Sequence, residues 1–106
     1  MDTKTETGAG VMPQYQSFDV WKRISKTRAV RYRCFKETST GRFSVQSADF
    51  YGVPLDPKHA ADLEKQYLEL FAEQDPDERA GSFDSLEAAI EAHDRDFLSE
   101  AEGTGQ

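Results

Sequence analysis

The stretch from Arg28 to Tyr51 constrains this chain more than any other. Within it, Ala29-Val30-Arg31-Tyr32-Arg33-Cys34-Phe35 alternates between apolar and cationic side chains, and a second run follows after Glu37-Thr38-Ser39-Thr40-Gly41. A period of two belongs to a β-strand, whose successive side chains point to opposite faces. It places Val30, Tyr32 and Cys34 on one face and Arg31, Arg33 and Phe35 on the other. Gly41 supplies the residue that tolerates positive φ, which a bulged hairpin turn requires. The return strand, Arg42 to about Tyr51, sets Phe43, Val45 and Ser47 against Arg42, Ser44, Gln46, Ala48 and Phe50. If Phe43 and Val45 join Val30, Tyr32 and Cys34 inside, the outer face holds Arg31, Arg33, Phe35, Arg42, Ser44 and Gln46. Asp49 then falls on the inner parity, which predicts a bulge or the strand's end nearby.

Around this hairpin the chain divides into a polar arm over residues 1–15, one folded domain over 16–98 and a frayed polar tail over 99–106. Ser17 is placed to cap a short helix from Phe18 to Lys26, with Phe18, Trp21, Ile24 and Ser25 along one side. Phe18-Asp19-Val20-Trp21 is equally short enough for a strand, so both readings stand. After the breaker Gly52-Val53-Pro54-Leu55, Asp56-Pro57 reads as an N-cap with proline at the first helical position. The helix it opens runs to about Glu73, with Ala60, Leu63, Tyr67, Leu70 and Phe71 at helical spacing. Gln74-Asp75-Pro76-Asp77-Glu78 is an acidic turn, and Arg79 to Phe83 suits a short third strand. Asp84 as N-cap, Glu87 as its capping-box partner and the Phe83/Ala88 staple start a last helix, whose apolar face is Leu86, Ile90, His93 and Phe97. The eight residues Phe83-Asp84-Ser85-Leu86-Glu87-Ala88-Ala89-Ile90 resemble the strand-to-helix junction of many small αβ domains, HicB-type antitoxins among them, and carry no catalytic signature. The expected fold is α+β, in the order (α)ββαβα: a small antiparallel sheet, made of the β-hairpin and a short third strand, with two amphipathic helices packed on one face.

Charge is distributed unevenly along the 106 residues. The net charge of -7 combines +6 over Phe18 to Phe43, where eight Lys/Arg face only Asp19 and Glu37, with -12 over Ser44 to Gln106 and -1 before Phe18. With its polar ends removed the chain leaves a folding unit of roughly 80 residues, small enough to argue against an enclosed active-site cavity, while 11% aromatic residues argue against full disorder. No apolar run approaches a membrane span and none follows Met1 as a signal segment would. The single cysteine, Cys34, has no partner for an internal disulfide. These features lead us to expect a cytoplasmic, soluble protein with no membrane association.

Residue types that carry chemistry are sparse. Cys34, His59 and His93 are the only Cys and His residues, without C-x-x-C, H-x-x-x-H or H-E-x-x-H spacing. Cys34 reads as a buried small hydrophobe and His93 as a half-buried structural residue on an apolar helix face. Asp75, Asp77 and Glu78 lack the glycine-containing loop of a calcium site. No phosphate-cradling glycine loop or nucleophile elbow is present. The expectation is therefore no catalytic, metal or cofactor site, and a small protein–protein interaction module of antitoxin, immunity or regulatory type. Its acidic helical face, Asp62, Glu64, Glu69, Glu87, Glu91 and Asp94, would dock on a protein partner with a basic surface. The alternative is a nucleic-acid-binding module in which Arg31, Arg33 and Arg42 hold phosphates and Phe35 stacks a base.

Overall fold

Residues 12–105 are described by a computed structural model, with side chains through Asp96. The fold is α+β, in the order βββααα: β1 Tyr15–Arg23, β2 Arg28–Glu37, β3 Phe43–Gly52, α1 Pro57–Glu73, α2 Pro76–Ala80 and α3 Leu86–Gly105. The three strands form one antiparallel sheet with β2 in the centre.

The hairpin forms as its alternation requires. Gly41 closes the turn at φ +72, donating to the Glu37 carbonyl at 2.8 Å, and Glu37 N–H reaches the Arg42 carbonyl at 2.9 Å. The parity conflict at Asp49 is resolved by a bulge. Arg33 opposes Ser47 while Cys34 opposes Val45, so Gln46 is the extra residue on β3. Beyond it the faces of β3 exchange: Ala48 moves to the side of Tyr32, and Asp49 moves to the side of Arg31 and Arg33.

Phe18 to Lys26 is not a helix, because most of it belongs to β1. In a strand, Phe18 and Val20 share the face that packs on the core of Val30, Tyr32, Cys34, Val45 and Ala89. A helix would bring Phe18 to Trp21 and Ile24 instead, and would leave the second edge of β2 with unpaired backbone groups. The expected strand over Arg79 to Phe83 shrinks to one bridge, in which Phe83 and Phe43 exchange backbone hydrogen bonds of 2.9 Å each. Pro76–Ala80 is instead the short helix α2, with Pro76 at its start.

The two long helices do not share a face of the sheet. On one side, Leu86, Ala89 and Ile90 of α3 cover Val30, Tyr32, Cys34 and Val45. On the other, Tyr67 and Phe71 of α1 stack against Phe35 with ring centroids 6.0 and 5.0 Å apart, and Tyr15 of β1 meets Phe35 and Phe71 edge-on. Aromatic pairs of this kind contribute about 0.5–1.5 kcal/mol each beyond their buried area. The sheet is therefore covered on both sides, and the expected outer face of the hairpin is an interior.

α1 begins as its sequence dictates: Asp56 accepts from the Lys58 N–H at 3.0 Å, with Pro57 in the first turn. The cap of α3 lies one residue later than expected. Ser85 Oγ accepts from the Ala88 N–H at 3.1 Å, whereas the Asp84 carboxylate turns outward to Arg42. The backbone of α3 is helical through Gly105. The Phe97 side chain and residues 1–11 of the expected arm lie outside what is described.

Candidate functional site

Covering both sides of the sheet changes what the basic hairpin can offer. Arg33 and Phe35 are 2% and 3% exposed, so neither presents itself to a polyanion. Arg33 donates to Asp49 and Glu64 at 2.9 Å each, and its guanidinium carbon lies 4.4 Å from the Tyr67 ring centre. Burial alone would lower its pKa, but the hydrogen bonds it donates to Glu64 and Asp49 outweigh this and raise it, holding the guanidinium charged. Arg42 is fastened to α3's approach, donating to Ser82 Oγ at 2.7 Å and to the Ser82 carbonyl at 2.9 Å as well as to Asp84. Arg31 and Arg42 stay partly exposed, and of the two only Arg31 lines a cleft. The expectation of an exposed row of arginines around a stacking Phe35 is corrected accordingly.

The six expected carboxylates are also separated. Asp62, Glu64 and Glu69 belong to α1, and Glu87, Glu91 and Asp94 to α3, on opposite sides of the sheet. Four of them are engaged within the chain. Asp62 pairs with Lys58 at 3.2 Å, Glu64 with Arg33, and Glu69 with Lys65 at 3.9 Å. Asp94 accepts the Tyr32 hydroxyl at 2.9 and 3.1 Å. Burial and this carboxylate push the Tyr32 phenol up to about 12. No single acidic docking face results.

What the fold does assemble is a cleft of about 650 Å³ at one end of the sheet, which sequence reasoning missed. Its walls come from the end of β1, the β1–β2 turn, the start of β2, the end of β3, the loop before α1 and Ala60 and Glu64 of α1, the latter held by Arg33. Arg23, Lys26, Arg28 and Arg31 line it beside Trp21, Tyr51, Val53 and Leu55. The Val53 N–H donates to the Thr27 carbonyl at 2.9 Å, which ties the loop to the turn. Trp21 is held by Tyr51, ring centroids 5.4 Å apart, and by Arg31, whose guanidinium carbon lies 5.4 Å from the indole centre. Arg31 in turn donates to Asp19 at 2.9 Å and to the Tyr51 hydroxyl at 3.3 Å. This chain of contacts fixes one face of an indole that is still 56% exposed, next to Val53 at 70% and Leu55 at 58%. Among the described residues, Lys22, Arg23, Lys26 and Arg28 pair with no carboxylate within 4.0 Å.

The signal for this site lay in the sequence as two separated pieces. One is Trp21-Lys22-Arg23 through Lys26 and Arg28, four cations within seven residues, and the other is Val53-Pro54-Leu55. Only the return of β3 to the level of the β1–β2 turn brings them together. Among the described residues, no group of three or more His, Cys, Asp or Glu side chains is close enough to hold a metal ion, and no helix is long and apolar enough to cross a membrane.

No protein-family model matches the chain, and neither a curated protein nor a solved structure does.

Proposed function

We propose that this chain is a noncatalytic protein-interaction module that grips an acidic, partly apolar segment of a partner in the cleft at the end of its sheet. The observation that carries the reading is the juxtaposition of unpaired cations with a half-exposed Trp21 and the exposed Val53 and Leu55. Tryptophan, tyrosine and arginine are the side chains that most often dominate protein–protein binding energy, because they combine large contact area with fixed polar groups. The exposed aliphatic Val53 and Leu55 beside Trp21 favour a polypeptide over a nucleic acid, whose phosphates need a longer cationic track. The same cations that attract a partner's carboxylates also set the polarity of approach.

The test is to pan a random dodecapeptide library against the chain and to titrate the enriched peptides while following the fluorescence of Trp21, the single tryptophan. The expected binders combine Asp or Glu with apolar residues, weaken as salt rises, and are lost on Arg23→Glu combined with Lys26→Glu. Enrichment of no acidic peptide, or micromolar binding of single-stranded DNA or RNA at about 150 mM salt, would overturn the reading.

A further inference from the structure

We infer that the partner segment binds as a fourth strand, adding antiparallel to the free edge of β1 and entering the cleft at Trp21. This rests on the reading of the cleft as a peptide site and specifies its mode.

β1 is an edge strand, since the sheet order is β1-β2-β3. Which of its backbone groups face outward follows from two hydrogen bonds at its ends. The Thr38 N–H donates to the Gln14 carbonyl at 2.9 Å, and the Ile24 N–H donates to the Arg28 carbonyl at 2.9 Å. Both pairs have the same register as the ladder between them, in which Tyr15 opposes Glu37 and Arg23 opposes Ala29. In an antiparallel ladder, bonded and non-bonded residues alternate. Gln14, Gln16, Phe18, Val20, Lys22 and Ile24 therefore turn their backbone groups toward β2, and Tyr15, Ser17, Asp19, Trp21 and Arg23 turn theirs away. Among the described residues, no backbone group of Ser17, Asp19, Trp21 or Arg23 finds a partner on that outer side.

A nine-residue edge without a bulge or proline is a template for another strand. Its charge selects the occupant. Lys22 and Arg23 end the strand and Lys26 and Arg28 follow in the turn, so a segment carrying carboxylates at the end that reaches the cleft is favoured. Self-pairing is disfavoured: in the fully overlapped antiparallel register of two β1 strands Asp19 faces Asp19, and two chains of net charge -7 meet. Alternate side chains of an added strand would lie beside Trp21 on the α1 side and beside Phe18 and Val20 on the α3 side, which suits apolar residues there.

The decisive variant is Ser17→Pro. Ser17 is exposed and its N–H points away from β2, so proline removes an outward donor without breaking the ladder to β2, the one setting in which a strand accepts it. It lies four residues from Trp21, about 13 Å along the strand. The measurement is the affinity of the best acidic peptide from the library, by Trp21 fluorescence, for the wild-type chain, Ser17→Pro and Ser17→Ala. Strand addition predicts that Ser17→Pro weakens binding about tenfold or more while Ser17→Ala does not, with unchanged circular dichroism and denaturation midpoint for both. If Ser17→Pro unfolds the chain, N-methylation of alternate peptide backbone nitrogens on the wild-type protein asks the same question, and one of the two methylation phases is expected to abolish binding. A peptide that binds Ser17→Pro and both N-methylated forms as tightly as before would overturn strand addition while leaving the cleft as a peptide site. Loss of all acidic-peptide binding would overturn both. A dimer in sedimentation equilibrium that Ser17→Pro dissolves would assign the edge to a second copy and overturn the inference, as would oligonucleotide binding abolished by Ser17→Pro.

Discussion

Arg33 offers the sharpest test of the energetics, because its charge is buried and its partners are unequal. Asp49 is nearly as buried as Arg33, with side-chain exposures of 5% and 2%, whereas Glu64 is 52% exposed. Replacing Arg33 by Met keeps most of the volume against Tyr67 and removes the cation. Glu64 then returns to solvent, and the loss of so exposed a pair is worth less than about 1 kcal/mol. Asp49 has no such exit. Removing one partner of a buried ion pair typically costs about 3–5 kcal/mol, because the other charge is left without compensation. Arg33→Met is therefore expected to destabilise the domain by about 3–5 kcal/mol, a large share of the roughly 5–15 kcal/mol available to a domain of this kind.

The assay is urea unfolding followed by circular dichroism. With a slope of about 2 kcal/mol per molar, the midpoint should fall by roughly 2 M. The double variant Arg33→Met with Asp49→Leu is expected to recover most of that loss, since well-packed apolar residues replace buried ion pairs at little or no cost. A single substitution costing less than about 1 kcal/mol, or a double variant whose cost equals the sum of the two singles, would refute the claim that these charges hold each other in the interior.

Cys34 should be inert: burial pushes its thiol up to about 12, so a water-soluble thiol reagent at pH 8 should modify the native protein far more slowly than the urea-unfolded chain. Ser85→Ala removes the N-cap of α3 and should cost about 0.5–2 kcal/mol, while Asp84→Ala, which breaks only an exposed pair, should cost less than about 1 kcal/mol; equal midpoints for Ser85→Ala and wild type in urea would contradict the cap assignment. Burial lowers the pKa of His93 despite Asp94 and Asp96, so the folded state favours the neutral ring: its contribution is fully present above the unfolded value of about 6.5 and is lost as pH falls from there through the folded value. His93→Gln should flatten the dependence of the urea midpoint on pH below about 6.5, and an unchanged slope would remove His93 as its source.

The elements that were legible in the sequence are those whose local pattern has one physical solution. The Arg28-to-Tyr51 hairpin, the positive φ at Gly41, the irregularity near Asp49 and the Asp56-Pro57 helix start all follow from alternation, turn chemistry and capping. The misread parts depend on contacts across the sheet. Ser17 to Ile24 carries both a strand period and a helix period, and only pairing with β2 chooses between them. The alternation of Arg31, Arg33 and Phe35 looks like a solvated face because a cation usually marks one. Here Asp49, displaced by the bulge, and Glu64, delivered by a helix thirty-one residues on, neutralise Arg33, and Tyr67 and Phe71 cover Phe35. Local periodicity contains neither partner. For Asp84 and Ser85 the sequence offers two adjacent capping residues, and Arg42, forty-two residues away, takes the first.

The uneven charge along the chain acquires a geometric meaning from this arrangement. Arg33 is consumed inside the fold and Arg42 is tied to Ser82 and Asp84, so, apart from Lys36 at the far end of the hairpin, the cations of this basic segment that pair with no carboxylate among the described residues are Lys22, Arg23, Lys26 and Arg28 around the β1–β2 turn. Negative charge rides on helices covering both faces of the sheet. An acidic segment approaching either face meets like charge, and one approaching the turn meets opposite charge, with the distinction felt only within about 8 Å at physiological salt. In the proposed mode, carboxylates therefore engage at the cleft first, where Trp21, Val53 and Leu55 supply apolar contact. Backbone pairing then extends along β1 from Arg23 toward Tyr15. Cleft and edge divide the work, side chains selecting the segment's charge and the strand edge fixing its extended conformation. On that division, reversing Arg23 and Lys26 acts chiefly on the association rate and is attenuated by salt, whereas Ser17→Pro acts chiefly on dissociation and is insensitive to salt, a contrast that stopped-flow Trp21 fluorescence at two ionic strengths resolves.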